Sequence, residues 1–273
     1  MDLYAVMGNP VSHSKSPLIH HLFAQQTSQA MSYTSLQVSI GGFVQAVDKF
    51  FAEGGSGLNI TVPFKREAWS ICAQLSLRAQ NAGAVNTLGL TDAGEYWGDN
   101  TDGVGLVRDI QDNLGVSLRA KRILILGAGG AVRGVLEPML MQEPERIVVA
   151  NRTESKAMEL ADHFSRLGDV RGIGLADPLL KQPFDIVING TAASLSGELP
   201  EVSTACVVDS FCYDMMYGSK PTTFMRWAMD GGAQAVSDGL GMLVEQAAEA
   251  FFLWRKVRPT TANVITTVRS QLL

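Results

Sequence analysis

The chain's most legible chemistry is a phosphate cradle. Lys121-Arg-Ile-Leu-Ile-Leu126 runs directly into Gly127-Ala-Gly-Gly-Ala131, and a helical pattern follows. A strand, a glycine turn and a helix N-terminus are the parts a pyrophosphate needs: one glycine for the tight turn, another for close backbone approach, and a helix dipole that favours negative charge. Gly127, Ala128, Gly129, Gly130 and Ala131 are therefore expected against a dinucleotide, and the flanking strand-helix-strand pattern favours this over a bare packing turn. The third fingerprint glycine is replaced by Val132, with Gly134 a short step beyond. The next apolar run, 146–150, ends in Asn151-Arg152-Thr153, with Lys156 following. A carboxylate at that tip would accept from the ribose hydroxyls of NAD; an arginine there stacks on adenine and pairs with a 2′-phosphate. The expectation is NADP, with Glu154 as the nearby acid that argues the other way. Thr153 also reads as the N-cap of an exposed helix, which is compatible with the first reading.

A second set of residues lies in the N-terminal half. Gly8-Asn-Pro-Val-Ser-His-Ser-Lys-Ser-Pro17, Asn59-Ile-Thr-Val-Pro-Phe-Lys65, Asn86-Thr87 and Gly98-Asp-Asn-Thr-Asp-Gly103 are too rich in small polar groups to be core filler. Each falls where a strand hands over to a helix or turn, and ligands of open parallel sheets collect at strand carboxyl ends. Ordinary roles compete. Ser14 and Ser16 could cap the helix that Pro17 opens, and Asp102 could be an N-cap. Lys65 could be a solvated residue in a first helical turn, although the dipole disfavours a cation there.

These residues need elements to position them. Strands are predicted at 3–7, 33–38, 57–61, 84–90, 122–126, 146–150, 185–189 and 207–209. Helices are predicted near 17–26, 43–52, 65–75, 102–113, 131–141, 154–164 and 240–254. The alternation reads as α/β units with mainly parallel sheets. The predicted organisation is an N-terminal α/β substrate domain, 1–101 plus C-terminal helices returning at 240–273, and a Rossmann-type NADP-binding domain at 102–239. A helix over 102–118 is the expected crossing between the sheets.

Composition limits the alternatives. The 273 residues are 46% hydrophobic and 18% charged, which fits compact globular domains. A net charge of −5, without clusters, argues against nucleic acid or an anionic membrane as partner. The three cysteines and four histidines show neither CxxC nor metal-ligand spacing, so no disulfide framework and no metal are expected. The start of the chain lacks a basic leader and no apolar run is long enough to span a bilayer, so the expected compartment is the cytoplasm.

Taken together, the segments above resemble the bacterial shikimate dehydrogenases over essentially the whole chain. The resemblance adds Gly83-Ala-Val-Asn-Thr87, Tyr213-Asp-Met-Met-Tyr217 and Asp238-Gly-Leu-Gly-Met242 to the motifs already given. It implies NADPH-dependent reversible reduction of 3-dehydroshikimate to shikimate, in aromatic amino acid (chorismate) biosynthesis. It implies that Ser14 and Ser16 bind the substrate carboxylate and that Lys65 and Asp102 form the catalytic pair. Asn59, Thr61, Asn86 and Gln246 match the remaining polar contacts to the substrate ring. Tyr217, Met215, Gly239 and Met242 match the nicotinamide side, with Tyr217 also counted among the substrate contacts. Thr191 lies in a stretch near the cofactor that reads Asn189-Gly-Thr-Ala-Ala-Ser194, where Ala192 replaces an expected hydroxyl. A monomer or homodimer acting on small molecules is the expected form. Two rivals share the fold. The quinate/shikimate branch accepts quinate and often prefers NAD, but tends to carry an acid after the second strand. A non-catalytic dinucleotide-binding module would be expected to lose Lys65 or Asp102, and both are present.

Overall fold

The computed structural model describes residues 1–191, 193, 197–198 and 201–272. The chain forms two compact units, one of Met1–Gly105 with Leu243–Gln271, the other chiefly Leu106–Met242. Asp102 thus falls in the first unit, and Leu240, Gly241 and Met242 in the second.

The first unit contains β1 (Asp2–Gly8), α1 (Ser16–Gln26), β2 (Met31–Gln37), α2 (Phe43–Ala52), β3 (Gly55–Ile60), α3 (Lys65–Ile71), β4 (Gln74–Leu75), α4 (Leu77–Ala82), β5 (Thr87–Leu90), β6 (Tyr96–Asp99) and the start of α5 (Asp102–Arg108). Its six-stranded sheet has the order β2-β1-β3-β5-β6-β4. β1 pairs in parallel with β2 and β3, and β4 with β6. β5 runs antiparallel to both its neighbours. Between β5 and β6 the reversal is made by the Thr91-Asp-Ala-Gly94 turn, where Gly94 takes φ +78° and its N–H donates to Thr91 O at 2.9 Å. The core of this unit packs Ala5, Met7, Leu58, Ile60 and Leu88 under Phe43, Val47 and Phe64. Phe43 and Val47, four apart on α2, meet the sheet together.

The second unit contains β7 (Arg122–Leu126), α6 (Gly130–Leu140), β8 (Arg146–Asn151), α7 (Glu154–Phe164), β9 (Val170–Gly174), β10 (Ile186–Asn189), β11 (Phe211–Asp214), α8 (Thr223–Asp230) and β12 (Ala235–Asp238). All its pairings are parallel, in the order β12-β11-β10-β7-β8-β9. This is the doubly wound dinucleotide-binding order. Alternate residues serve opposite faces: Ile123, Ile125, Ile147 and Val149 fill one core, Leu124, Leu126, Val148 and Ala150 the other. Burial on both faces explains the unbroken apolar run that marked β7. The last helices are α9 (Leu240–Arg255) and α10 (Ala262–Ser270).

Several elements differ from expectation. The predicted strand at 207–209 is the end of a 3-10 turn, Thr204–Val207, followed by Asp209 at φ +58°; the strand itself is β11. The helix expected over 102–118 is α-helical only to Arg108 and continues as a π turn, Asp109–Asn113, with Gly115 at φ +68° beyond it. The short strands β4, β6, β9 and β12 went unpredicted, because two to five residues of mixed polarity carry little periodic signal. No described helix is long and apolar enough to cross a membrane. The three cysteines are free.

Candidate active site

In the first unit, the parallel strands deliver their polar termini to one region. β3 ends on Asn59 and Ile60, and the following Thr61-Val-Pro-Phe64 turn brings Lys65 to the first position of α3. Lys65 Nζ lies 2.6 Å from Asp102 Oδ2. Asp102 is 9% exposed, which makes the contact a charge-assisted bond in a partly dehydrated setting. Its other oxygen accepts from Asn86 Nδ2 at 2.8 Å. Asn86, 2% exposed, also donates to Thr101 Oγ1 at 3.0 Å and lies 3.4 Å from Gln246 Oε1. Its Oδ1 accepts from the Thr101 N–H at 2.9 Å. Lys65, Asn86, Asp102 and Gln246 thus form one connected group, supplied by α3, the residue before β5, the start of α5, and α9.

Asn59 sits behind this group. Its Oδ1 accepts from the Tyr33 hydroxyl at 2.7 Å, and its Nδ2 donates to Asn86 O at 3.1 Å and Thr87 Oγ1 at 3.2 Å. Both ends of the amide are engaged within the protein. Ser14 is half-buried and its Oγ accepts from the Ser16 N–H at 3.2 Å, so it helps start α1; Lys15 holds the N-cap position without a side-chain bond. Ser16 is buried, at 7% exposure. The Thr61 methyl lies so close to Gly8 that a Cβ there would meet it at 2.4 Å.

One buried group beside this wall stands apart. His20, on α1, is fully buried, stacked on Tyr33 with centroids 4.1 Å apart and planes 5° apart, with Phe23, Phe251 and Trp254 around it. Neither ring nitrogen has a hydrogen-bond partner among the described residues. Burial pushes its pKa down to about 3, so the imidazole is neutral.

In the second unit, the glycine turn joins β7 to α6. Gly127 takes φ +106°, its N–H donates to Ala150 O at 2.8 Å, and a Cβ there would meet Thr191 and the Gly190 backbone. Gly129 and Gly130 differ: a Cβ at either would meet nothing within 4 Å. Among the described residues nothing asks for glycine at these two exposed positions, and bare N–H groups at a helix N-terminus are what a phosphate needs. Ala131 is exposed beside them and Ala128 packs partly on the core. Val132, at the missing fingerprint position, is fully buried, and a Cβ on Gly190 would meet its Cγ2 at 2.4 Å. The close packing that the third glycine usually allows is here displaced to Gly190.

A cavity of about 700 Å³ opens in front of this turn, lined by Gly127, Ala150, Asn151, Arg152, Leu175, Thr191, Ala193, Glu198 and Glu201. Its size and its glycine floor fit a dinucleotide. Arg152 is exposed on its wall. Asn151 Nδ2 donates to Thr153 O at 2.8 Å, and Thr153 holds the N-cap position of α7 without a side-chain bond, contrary to the capping expected of it. Lys156 is exposed on the first turn of α7. Glu154, the acid that argued for NAD, has its carboxylate 3.2 Å from where a Cβ on Gly174 would lie, at the end of β9. The cavity's own carboxylates are Glu198 and Glu201, which no motif had singled out. Ala192 lies outside the described residues.

The remaining expected positions are also on this unit. Asn189 Oδ1 accepts from Thr191 N and Oγ1, and its Nδ2 donates to Asp214 Oδ1 at 2.9 Å, which in turn accepts from Met216 N. This pair joins the tips of β10 and β11 and was not predicted. Gly239 touches the Met215 backbone, where a Cβ would meet the carbonyl at 2.3 Å. Tyr217 is half-buried, and burial with the Asp238 carboxylate nearby raises its pKa. Met242 is 9% exposed and packs in the core. Beside it, the Tyr213 hydroxyl donates to Asp109 Oδ2 at 2.6 Å, and Gly241 fits so tightly on Asp109 that a Cβ would meet Oδ1 at 1.8 Å.

Three family descriptions match along the chain: a shikimate dehydrogenase substrate binding domain over residues 6–88, shikimate / quinate 5-dehydrogenase over 108–196, and a shikimate 5'-dehydrogenase C-terminal domain over 239–269. Shikimate dehydrogenase (NADP(+)) of Hahella chejuensis is 56% identical over 270 residues, covering 98% of this chain and 99% of that protein. The crystal structure of an Ael1 enzyme from Pseudomonas putida aligns with a TM-score of 0.91 at 45% identity, covering 98% of each chain. Shikimate 5-dehydrogenase from Thermus thermophilus, solved with NADP(H) and shikimate, aligns over the whole of both chains with a TM-score of 0.86 at 29% identity. The chain belongs to the NADP-dependent shikimate dehydrogenase family of oxidoreductases.

Proposed function

We propose that the chain interconverts 3-dehydroshikimate and shikimate with NADP(H), that Lys65 is its proton donor and acceptor, and that Asp102 holds Lys65 in place. The observation that carries this reading is the 2.6 Å bond between Lys65 Nζ and Asp102 Oδ2, with Asn86 fixing the other Asp102 oxygen at 2.8 Å. When bound, NADPH supplies the hydride for the carbonyl carbon. The ketone oxygen then needs a proton, and the Lys65 ammonium provides it; in the reverse direction the neutral amine takes it back. Before transfer the ammonium polarises the carbonyl. Asp102 limits the ammonium's freedom, which an unrestrained lysine would keep.

Ser14 and Ser16 supply hydroxyl donors for the substrate carboxylate, while Thr61, Asn86 and Gln246 address its hydroxyls. Asn59, engaged at both ends, supports that wall through Asn86 and Thr87. A wall of placed polar groups rejects analogues that lack a hydroxyl, since its own donors would be left unpaired. We assign substrate to the Met1–Gly105, Leu243–Gln271 unit and NADP to the Leu106–Met242 unit. Gly127 to Ala131 take the pyrophosphate. Arg152, with Asn151, Thr153 and Lys156, takes the adenosine 2′-phosphate; Thr191, Met215, Gly239 and Met242 line the nicotinamide side. A net charge of −5 favours small-molecule partners over nucleic acid or anionic membrane.

One spectrophotometric experiment tests this. Shikimate or quinate is crossed with NADP or NAD, for the native chain and for Arg152→Ala. Turnover is expected with shikimate and NADP, and the substitution should raise the KM for NADP by about 10–100-fold, the worth of one charge-assisted contact, with little change for NAD. Turnover with quinate or NAD comparable to that with shikimate and NADP would move the chain to the broader branch. Equal losses for both cofactors would remove Arg152 from 2′-phosphate recognition.

A further inference from the structure

The motif Gly98-Asp-Asn-Thr-Asp-Gly103 contains two aspartates, and the proposed reaction uses only the second. Asp99 is 5% exposed, at the end of β6. Its carboxylate is a hub: Arg78 donates from Nε to Oδ1 at 2.7 Å and from Nη2 to Oδ2 at 2.7 Å, Ser76 donates its hydroxyl, and the Asn100 N–H donates to Oδ1 at 2.6 Å. A bidentate guanidinium-carboxylate pair fixes orientation as well as distance.

The three residues after β6 leave the sheet ladder, yet each of their N–H groups is held by a side chain. Asn100 N–H donates to Asp99, Thr101 N–H to Asn86 Oδ1 at 2.9 Å, and Asp102 N–H to Asn100 Oδ1 at 3.1 Å. Asn100 Nδ2 adds a bond to Ala84 O at 3.1 Å. The place of the Asp102 carboxylate is therefore set by a chain of bonds that begins at Asp99. Arg78 also reaches α9, where it meets Glu249 Oε1 at 3.1 Å; Arg258 holds the other Glu249 oxygen at 2.8 Å. Glu249 lies three residues after Gln246, on the same face of α9. One guanidinium thus joins the turn that presents Asp102 to the helix that presents Gln246.

We infer that Arg78 and Asp99 are a positioning pair for the reaction: they hold the Asn100–Asp102 turn and the Gln246 face of α9 in register, so that Lys65, Asp102, Asn86 and Gln246 converge. This rests on the role proposed for Lys65. A buried ion pair of this kind is poor evidence of net stabilisation, whereas reactive geometry is sensitive: a displacement of about 1 Å can cost on the order of 10²-fold in rate.

The test compares Arg78→Met, Arg78→Lys, Asp99→Asn and Lys65→Ala in the full chain. For each, kcat, the KM for shikimate and for NADP, and thermal unfolding are measured. Arg78→Met should lower kcat by about 10–100-fold while the KM for NADP stays within twofold, because the cofactor groups lie on the other unit. Arg78→Lys, which keeps the charge and loses the fork, should recover part of kcat. Added to Lys65→Ala, Arg78→Met should cost less than twofold more, since the geometry it protects no longer matters. A folded Arg78→Met or Asp99→Asn with kcat within twofold of native overturns the inference, as does full loss on the Lys65→Ala background. If Arg78→Met does not fold, Arg78→Lys and Asp99→Asn decide on the same criteria. Native turnover in Lys65→Ala would instead overturn the reading beneath it.

Discussion

The two units build their candidate ligand surfaces by opposite means. On the first, the surface is made of side chains already bonded to one another: Lys65 to Asp102, Asp102 to Asn86, Asn86 to Thr101, Asn59 to Tyr33 and Thr87. On the second, it is made of backbone and space, with two glycines whose missing Cβ atoms no described residue would oppose. The first kind of surface fails when a partner is removed, because a buried donor or acceptor is left unpaired. The second fails when it is filled. The difference separates stability from activity: groups that hold one another affect both, and groups kept bare for a ligand affect activity alone.

Removing a partner should give the largest effect. Lys65→Ala takes away the proposed proton donor and leaves Asp102 without its cation. We expect kcat to fall by about 10²–10⁴-fold, the usual worth of a general acid, with a modest rise in the KM for shikimate. Steady-state kinetics at saturating NADP decides; unchanged kcat removes Lys65 from the chemistry.

Filling the bare surface comes next. The backbone of Gly129, at φ −85° and ψ −179°, is open to any residue. Gly129→Ala should leave thermal unfolding of the ligand-free protein unchanged and raise the KM for NADP by about 10–100-fold, as one charged contact to a phosphate is lost. A drop in stability of the free protein would erase the contrast between the units.

An effect on stability alone sharpens the comparison through the exception to the bonded wall, His20. Its folded pKa, about 3, lies below the ordinary value of 6.5, so the unfolded chain binds the extra proton between those limits. Stability is then fully present above pH 6.5 and declines as pH falls toward 3, by at most about 1.4 kcal/mol per pH unit. Replacing the ring by Phe should flatten that slope. Denaturant unfolding of the native chain and His20→Phe at pH 7 and pH 4.5 gives the comparison, and identical slopes would show that His20 binds its proton equally in both states.

Much of the second unit was legible in the chain, since its cues are local. β7, the glycine turn and α6 follow one another without interruption, and a run buried on both faces announces itself. Arg152 could be placed by counting along β8. Glu198 and Glu201 could not, because they reach the same cavity from a segment with no regular pattern. In the first unit, Asp99 and Thr101 lay in plain view within a motif, but their roles depend on partners far along the chain. Arg78 is 21 residues from Asp99 and 171 from Glu249, and no local spacing records either distance. The strand expected at 207–209 is absent because Val207 reaches the core from a 3-10 turn while Val208 is exposed, and an apolar pair alone does not distinguish a turn from a strand.

The contact between Gly241 and Asp109 bears on how such a chain can diverge. Any side chain at 241 collides with the Asp109 carboxylate, and shortening Asp109 to make room takes the acceptor from the buried Tyr213 hydroxyl. Gly241 and the Asp109 carboxylate therefore constrain each other directly, and Tyr213 is tied in through its hydroxyl. In a mutational library 241 and 109 should look intolerant singly, and a lineage would open them in a fixed order: the hydroxyl at 213 first, the carboxylate at 109 next, the glycine at 241 last.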